Sequence, residues 1–260
     1  MTWALKRQLS YIGILILFFG IFAFLIIYPG SKETPTCFDG RQNGTETGVD
    51  CGGTCARACL FESDQVSVRW ARAFEVIPSR YNAVAYLTNH NKNLSAGRVK
   101  YQFRFADKDN VYLGRREGYT YIPPGRDLVV FERGIELGNS IPVYTTFQLQ
   151  EIPDWINVPE EKIEQIQISV SDINLFSPDE TPRLSATVKN DSLFIIPEVS
   201  FTALLYDQFG NVVAASSTFL DELRAEEERV INFTWPLLIK EKVEIKEILP
   251  SFNIFSAKLK

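Results

Sequence analysis

The stretch Tyr11 to Tyr28, YIGILILFFGIFAFLIIY, has no charge, no Asn or Gln, and two glycines in 18 positions. At about 1.5 Å per residue a helix of that length spans roughly 27 Å, close to the hydrocarbon thickness of a bilayer. Lipid offers the backbone no hydrogen bonds, so a lone apolar run of this length is expected to be helical. A core helix of a soluble protein keeps a polar stripe, and this run has none. The expectation is a transmembrane helix over residues 11–28 in contact with membrane lipid.

Lys6 and Arg7 precede the run, whereas Pro29-Gly30-Ser31-Lys32-Glu33 after it carries one charge of each sign. Basic residues beside a span stay cytoplasmic, which predicts a cytoplasmic N-terminus (residues 1–10) and an extracytoplasmic bulk at the cell membrane. Trp3 and Tyr28 stand where interfacial aromatics sit. A cleaved signal has a shorter apolar region ending in small residues, and here Leu25-Ile26-Ile27-Tyr28-Pro29 follows instead. Thr34-Pro35-Thr36 before Cys37 is no lipobox.

About 230 residues follow the run, enough for two cores. The net charge of −5 argues against nucleic acid as a partner. One histidine in the chain leaves general-base chemistry short of its usual residue. All four cysteines lie between positions 37 and 59. After a linker, residues 29–36, the expected small module is 37–60. Its length cannot bury a core large enough to offset chain entropy, so covalent or metal staples are expected. Two disulfides among Cys37, Cys51, Cys55 and Cys59 suit an oxidising compartment, with three pairings open. A zinc ion held by all four cysteines is the rival, although the spacing fits CxxC pairs poorly. Asp39, Asn43, Glu46 and Asp50 offer oxygens that would suit calcium, or else serve as turn residues. No other cofactor is expected.

The residues Cys37, Asp39, Gly40, Asn43, Gly44, Glu46, Asp50, Cys51, Gly52, Gly53 and Cys55 match the pattern C-x-D-G-x-x-N-G-x-E-x-x-x-D-C-G-G-x-C. The segment resembles a short motif of bacterial surface proteins, and the resemblance implies a spacer or surface module.

From Phe61 onward the pattern alternates. Val99, Tyr101, Phe103 and Phe105 are apolar between Lys100, Gln102 and Arg104, the period-two signature of a half-buried strand. Asp107-Lys108-Asp109-Asn110 makes a turn, and Val111-Tyr112-Leu113 returns. About 100 residues on, Val199, Phe201, Ala203 and Leu205 are followed by Asp207-Gln208-Phe209-Gly210-Asn211 and Val212-Val213-Ala214, an internal repeat. Upstream strands end on Asn89 and Asn190. Each copy has the strand spacing of an immunoglobulin-like β-sandwich, giving β-sandwich 1 at 61–157 and β-sandwich 2 at 158–260. Residues 165–255, with their Leu205-Tyr206-Asp207 and Gly210, resemble FxLYD-type bacterial modules, with Ala203 at the named Phe position. That resemblance implies an extracytoplasmic accessory domain. The proline-punctuated junction Pro153–Pro159 predicts a stiff linker and two sandwiches end to end.

The fold expected is mainly β: two tandem immunoglobulin-like antiparallel sandwiches after a transmembrane helix and a disulfide-rich module. No G-x-S-x-G, G-x-G-x-x-G or Walker loop occurs. His90 lies in a polar turn, and Asp221-Glu222 and Glu226 to Glu228 read as a wetted inter-strand loop. Arg98, Arg104, Arg115 and Arg116 with Tyr112, Tyr119 and Tyr121 form the one suggestive surface, of residue types favoured at protein contacts. The leading function is a binding, scaffold or envelope-assembly protein with protein or envelope partners and no catalytic residues. The alternatives are a metal-dependent hydrolase or sugar-processing enzyme using the acidic loops, and a passive spacer.

Overall fold

The computed structural model describes residues 3–30, 36–177 and 180–259. The apolar run lies inside helix α1 (Trp3–Gly30), which starts eight residues before Tyr11. Its first turns belong to it because Arg7 lies over the Trp3 and Tyr11 rings and donates from Nε to Tyr11 Oη at 3.1 Å. The most apolar 18 residues of Trp3–Ile26 have a mean hydropathy of 2.7 and are not buried against the rest of the chain. It is the one helix among the described residues long and apolar enough to cross a membrane. Most of the linker expected at 29–36, residues 31–35, lies outside the described residues.

The rest is antiparallel β-structure. The first unit holds β1 (Ser67–Ile77), β2 (Arg80–Thr88), β3 (Leu94–Ala106), β4 (Tyr112–Ile122), β5 (Asp127–Glu136), β6 (Tyr144–Leu149) and β7 (Ile156–Asn157). After a short helix α2 (Glu160–Gln165), the second holds β8 (Ile168–Phe176), β9 (Arg183–Asn190), β10 (Phe194–Tyr206), β11 (Val212–Leu223), β12 (Glu228–Thr234), β13 (Ile245–Ser251) and β14 (Lys258–Leu259). The first unit forms sheets β1-β2-β5 and β4-β3-β6, and the second forms β12-β9-β8 and β11-β10-β13. The same order therefore recurs strand for strand, down to the short pairings Leu94↔Asn157 and Phe194↔Leu259. Each pair of sheets encloses its own core, around Phe103, Phe105 and Phe147 in one unit and Phe201, Phe233 and Leu205 in the other.

Alternation alone does not describe β2 and β10. Five consecutive residues of β2, Ala83 to Leu87, are buried, as are Phe201 to Leu205 of β10. A strand buried on five successive positions is covered on both faces. One face of each looks into its own sandwich, and the other meets its counterpart. Val84, Tyr86 and Val129 pack against Leu204, Val212 and Ala215, with Trp70, Phe74 and Tyr206 at the margin. The sandwiches therefore lie sheet against sheet, not end to end. The junction is short and proline-rich, but it is no free spacer. Trp155 sits in the first core, and Val158, three residues on, sits in the second.

The cysteine module is also docked. Ala58 N–H donates to Trp155 O at 2.9 Å and Asn157 N–H to Ala56 O at 2.7 Å, and Ala58 enters the first core. Arg57 and Asp154 form an ion pair at 2.8 Å.

Asn89 and Asn190, the strand-ending asparagines, are fully buried corners. Asn89 Nδ2 donates to Leu94 O (2.8 Å) and Pro123 O (2.7 Å), and Asn190 Nδ2 to Phe194 O (2.7 Å) and Arg224 O (2.8 Å). Each Oδ1 accepts the N–H two residues on, from Asn91 and Ser192, at 3.1 Å. Replacing either by Ala strands these backbone groups, and we expect a loss of about 2–4 kcal/mol in urea unfolding. Asn190→Asp should cost a similar amount, because a carboxylate cannot donate to Phe194 O. An unchanged urea midpoint would show that the corner is held by other contacts.

Candidate functional site

At the seam between the sandwiches, phenols and carboxylates of both units meet. Tyr86 Oη lies 3.1 Å from Asp127 Oδ2 and 3.3 Å from Glu247 Oε1, and Tyr206 Oη donates to Glu247 Oε2. Thr88 Oγ1 donates to the other Asp127 oxygen. Asp127 and Glu247 come from different sandwiches, and Tyr86 of the first reaches across to Glu247 of the second. Arg72 Nη1 donates across the seam to Val212 O at 2.8 Å.

Beside this cluster the seam opens into a cleft of about 520 Å³. β4 supplies Arg116, Tyr119 and Tyr121; β5 supplies Phe131, Glu132 and Arg133; the second sandwich supplies Ser200, Ser217 and Phe219. An adjoining pocket of about 310 Å³ adds Arg98 and Glu198. Arg98 stacks on Tyr119, its guanidinium carbon 3.9 Å from the ring centroid. Arg116 pairs with Glu132 at 2.9 Å, and the same carboxylate accepts from Tyr101 Oη at 2.6 Å. Gly118 makes that triangle possible: a Cβ there would lie 2.5 Å from Tyr101 Oη and 2.7 Å from Glu132 Oε1. Arg133 bridges the sandwiches through Ser217, donating from Nη2 to its carbonyl at 2.8 Å and from Nε to its hydroxyl at 3.1 Å. The cleft thus presents guanidinium and hydroxyl donors beside exposed aromatic rings.

Of the seven residues singled out as a contact surface, Arg98, Arg116, Tyr119 and Tyr121 converge here. Arg104 stacks on Tyr112 and Arg115 pairs with Glu117, outside the cleft. Tyr121 is largely covered, packing against the second core. Arg133, Phe131 and Phe219 were missed, because only the facing sheet makes them neighbours. The sequence signal for that facing was the unbroken apolar run Ala83 to Leu87.

In the cysteine module the bonds are Cys37–Cys55 and Cys51–Cys59, which leaves no free thiolate for the zinc alternative. Asp50 accepts the N–H groups of Asp39 (2.9 Å) and Gly40 (3.0 Å), and Glu46 accepts that of Asn43 (3.2 Å). Asn43 Nδ2 donates to Asp39 at 2.8 Å, the main cause holding that carboxyl below the usual range. The four oxygen-bearing residues therefore close the loop on itself. Gly52 and Gly53 are required there, since a Cβ on either would fall within 2 Å of Thr47 Oγ1 or Thr45 O. Glu46 approaches Cys37 and Cys55, but both sulfurs are spent in one disulfide.

The acidic segment near residue 225 is not one loop: Asp221 and Glu222 lie on β11. Glu222 pairs with Arg224 and Glu227 with Arg229. His90 is exposed and bonds Ser67 Oγ at 2.9 Å.

Tyr86, Tyr101 and Tyr206 are held above the ordinary tyrosine value of 10.0, first by burial and then by their carboxylates. A raised folded pKa leaves stability intact below the unfolded value and removes it above, because only the unfolded chain releases the proton. The urea midpoint should hold to about pH 10 and fall beyond it, with Tyr101→Phe and Tyr206→Phe each reducing the fall. A flat midpoint, or phenolate absorbance rising equally in folded and unfolded chains, would contradict this.

No family model matches the sequence, and no curated protein is similar to it. Solved structures that match include red sea bream transglutaminase, at 9% identity and a TM-score of 0.22. That match covers 72% of this chain, which spans about a third (31%) of the transglutaminase chain. Vicilin from Capsicum annuum is similar at 10% identity, covering 75% of this chain and 86% of that one, with a TM-score of 0.15. Nothing about this chain's function is taken from either.

Proposed function

We propose that this chain is a membrane-anchored binding or scaffold protein, held by α1 with its N-terminus cytoplasmic and both sandwiches extracytoplasmic. The observation that carries the reading is the seam cleft, where Arg98, Arg116, Arg133 and Tyr119 converge between two fused sandwiches. Lys6 and Arg7 ahead of the apolar run support the orientation. Two disulfides support an oxidising compartment. The surface-protein cysteine motif and the FxLYD resemblance point to the same setting, and the repeated strand order supports an internal duplication. The partner is a protein or envelope component that brings hydrogen-bond acceptors and flat apolar surface to the cleft, the chemistry guanidinium groups and tyrosines engage at interfaces.

A photo-crosslinking residue at Tyr119 or Phe219 tests this in intact cells. Val230 is the control, exposed on β12 in the sheet of the second sandwich away from the seam. Adducts should form from the cleft positions and not from Val230. Equal labelling at all three, or none at the cleft, would count against the reading.

A further inference from the structure

Between β4 and β5 the chain turns through Pro123-Pro124-Gly125-Arg126. The prolines fix two φ angles. Gly125, at φ +57°, donates its N–H to Asn91 O at 2.8 Å and leaves no room for a Cβ against the Lys92 backbone, 3.0 Å away. The Arg126 carbonyl is held by Asn89 N–H at 3.1 Å. This rigid turn delivers the Arg126 side chain to the seam, where it lines a small recess with Tyr121 of its own sandwich and Pro250, Phe252 and Ile254 of the other. The Arg126 guanidinium makes no hydrogen bond or ion pair with any described residue. Tyr121 Oη is buried and without a hydrogen bond among the described residues; Ser95 and the Ile254 backbone stand beside it outside bonding geometry. The Ser95 hydroxyl donates to Ile122 O at 2.8 Å. Partial burial lowers the guanidinium's pKa, against a smaller opposing effect of Tyr121.

A partly desolvated cation left unpaired is costly, and a buried phenol without a partner adds to the cost. No carboxylate lines the recess to offset it. The free volume is about 10 Å³, room for one water-sized occupant and too little for a carboxylate, a phosphate or a sugar. A water satisfies the hydroxyl but leaves the charge uncompensated. We propose that the recess is a halide site, with chloride held between the Arg126 guanidinium and the Tyr121 hydroxyl. Its walls come from both sandwiches, so the bound ion pins one against the other.

The test uses the full chain in detergent micelles, melted in sodium chloride or in sodium isethionate at equal ionic strength. Isethionate is too bulky for the recess. Chloride should raise the midpoint by about 2–4 °C once it exceeds its dissociation constant several-fold. Arg126→Gln should abolish that dependence and Tyr121→Phe should weaken it. Crystals soaked in bromide should show an anomalous peak in contact with Arg126. Equal midpoints in the two salts, undiminished chloride dependence in Arg126→Gln, or a recess holding water alone would overturn the site. If Arg126→Gln fails to fold, the wild-type bromide signal decides.

Discussion

The burial of Val84 and Tyr86 of one sandwich against Leu204, Val212 and Ala215 of the other is the contact on which the rest of the β-structure depends. Each aliphatic side chain fully removed from water contributes about 1.5–3 kcal/mol, so this patch supplies the attraction between the sandwiches. The polar groups around it, Tyr86 and Tyr206 with Asp127 and Glu247, add little net attraction, because desolvation offsets most of their electrostatic gain. Their contribution is direction. The Tyr86 phenol, which must meet Glu247 of the opposite sandwich, admits few relative placements of the two sheets.

Once the seam is set, the functional features follow from it. The cleft exists because β4 and β5 run past the edge of the apolar patch and face β10 and β11 across a gap. Arg133 reaches Ser217 only because the second sandwich stands there. The Arg126 recess has walls from both units. Neither sandwich alone contains these sites.

The cysteine module extends the same logic toward the N-terminal side of the first sandwich. Its disulfides and inward-facing carboxylates give a short glycine-rich loop a fixed shape. Its backbone bonds to the junction then make it part of the first sandwich. A segment that would be flexible by composition is thereby held in shape.

The sequence by itself determined the elements. An uninterrupted apolar run forces a helix, period-two alternation around Phe103 and Phe201 forces half-buried strands, and four clustered cysteines demand staples, because each is a local consequence of burial or chain entropy. It also marked Asn89 and Asn190, since a short amide ending a strand twice at one spacing signals a recurring corner. Only the tertiary structure decided that the sandwiches meet face to face, which disulfides form, and that Arg98, Arg116 and Tyr119 share a cleft with Arg133 while Arg104, Tyr112 and Arg115 do not. Alternation reports which side of a strand avoids water but not what covers it. In β2 and β10 the covering body is the other sandwich, about 100 residues away along the chain.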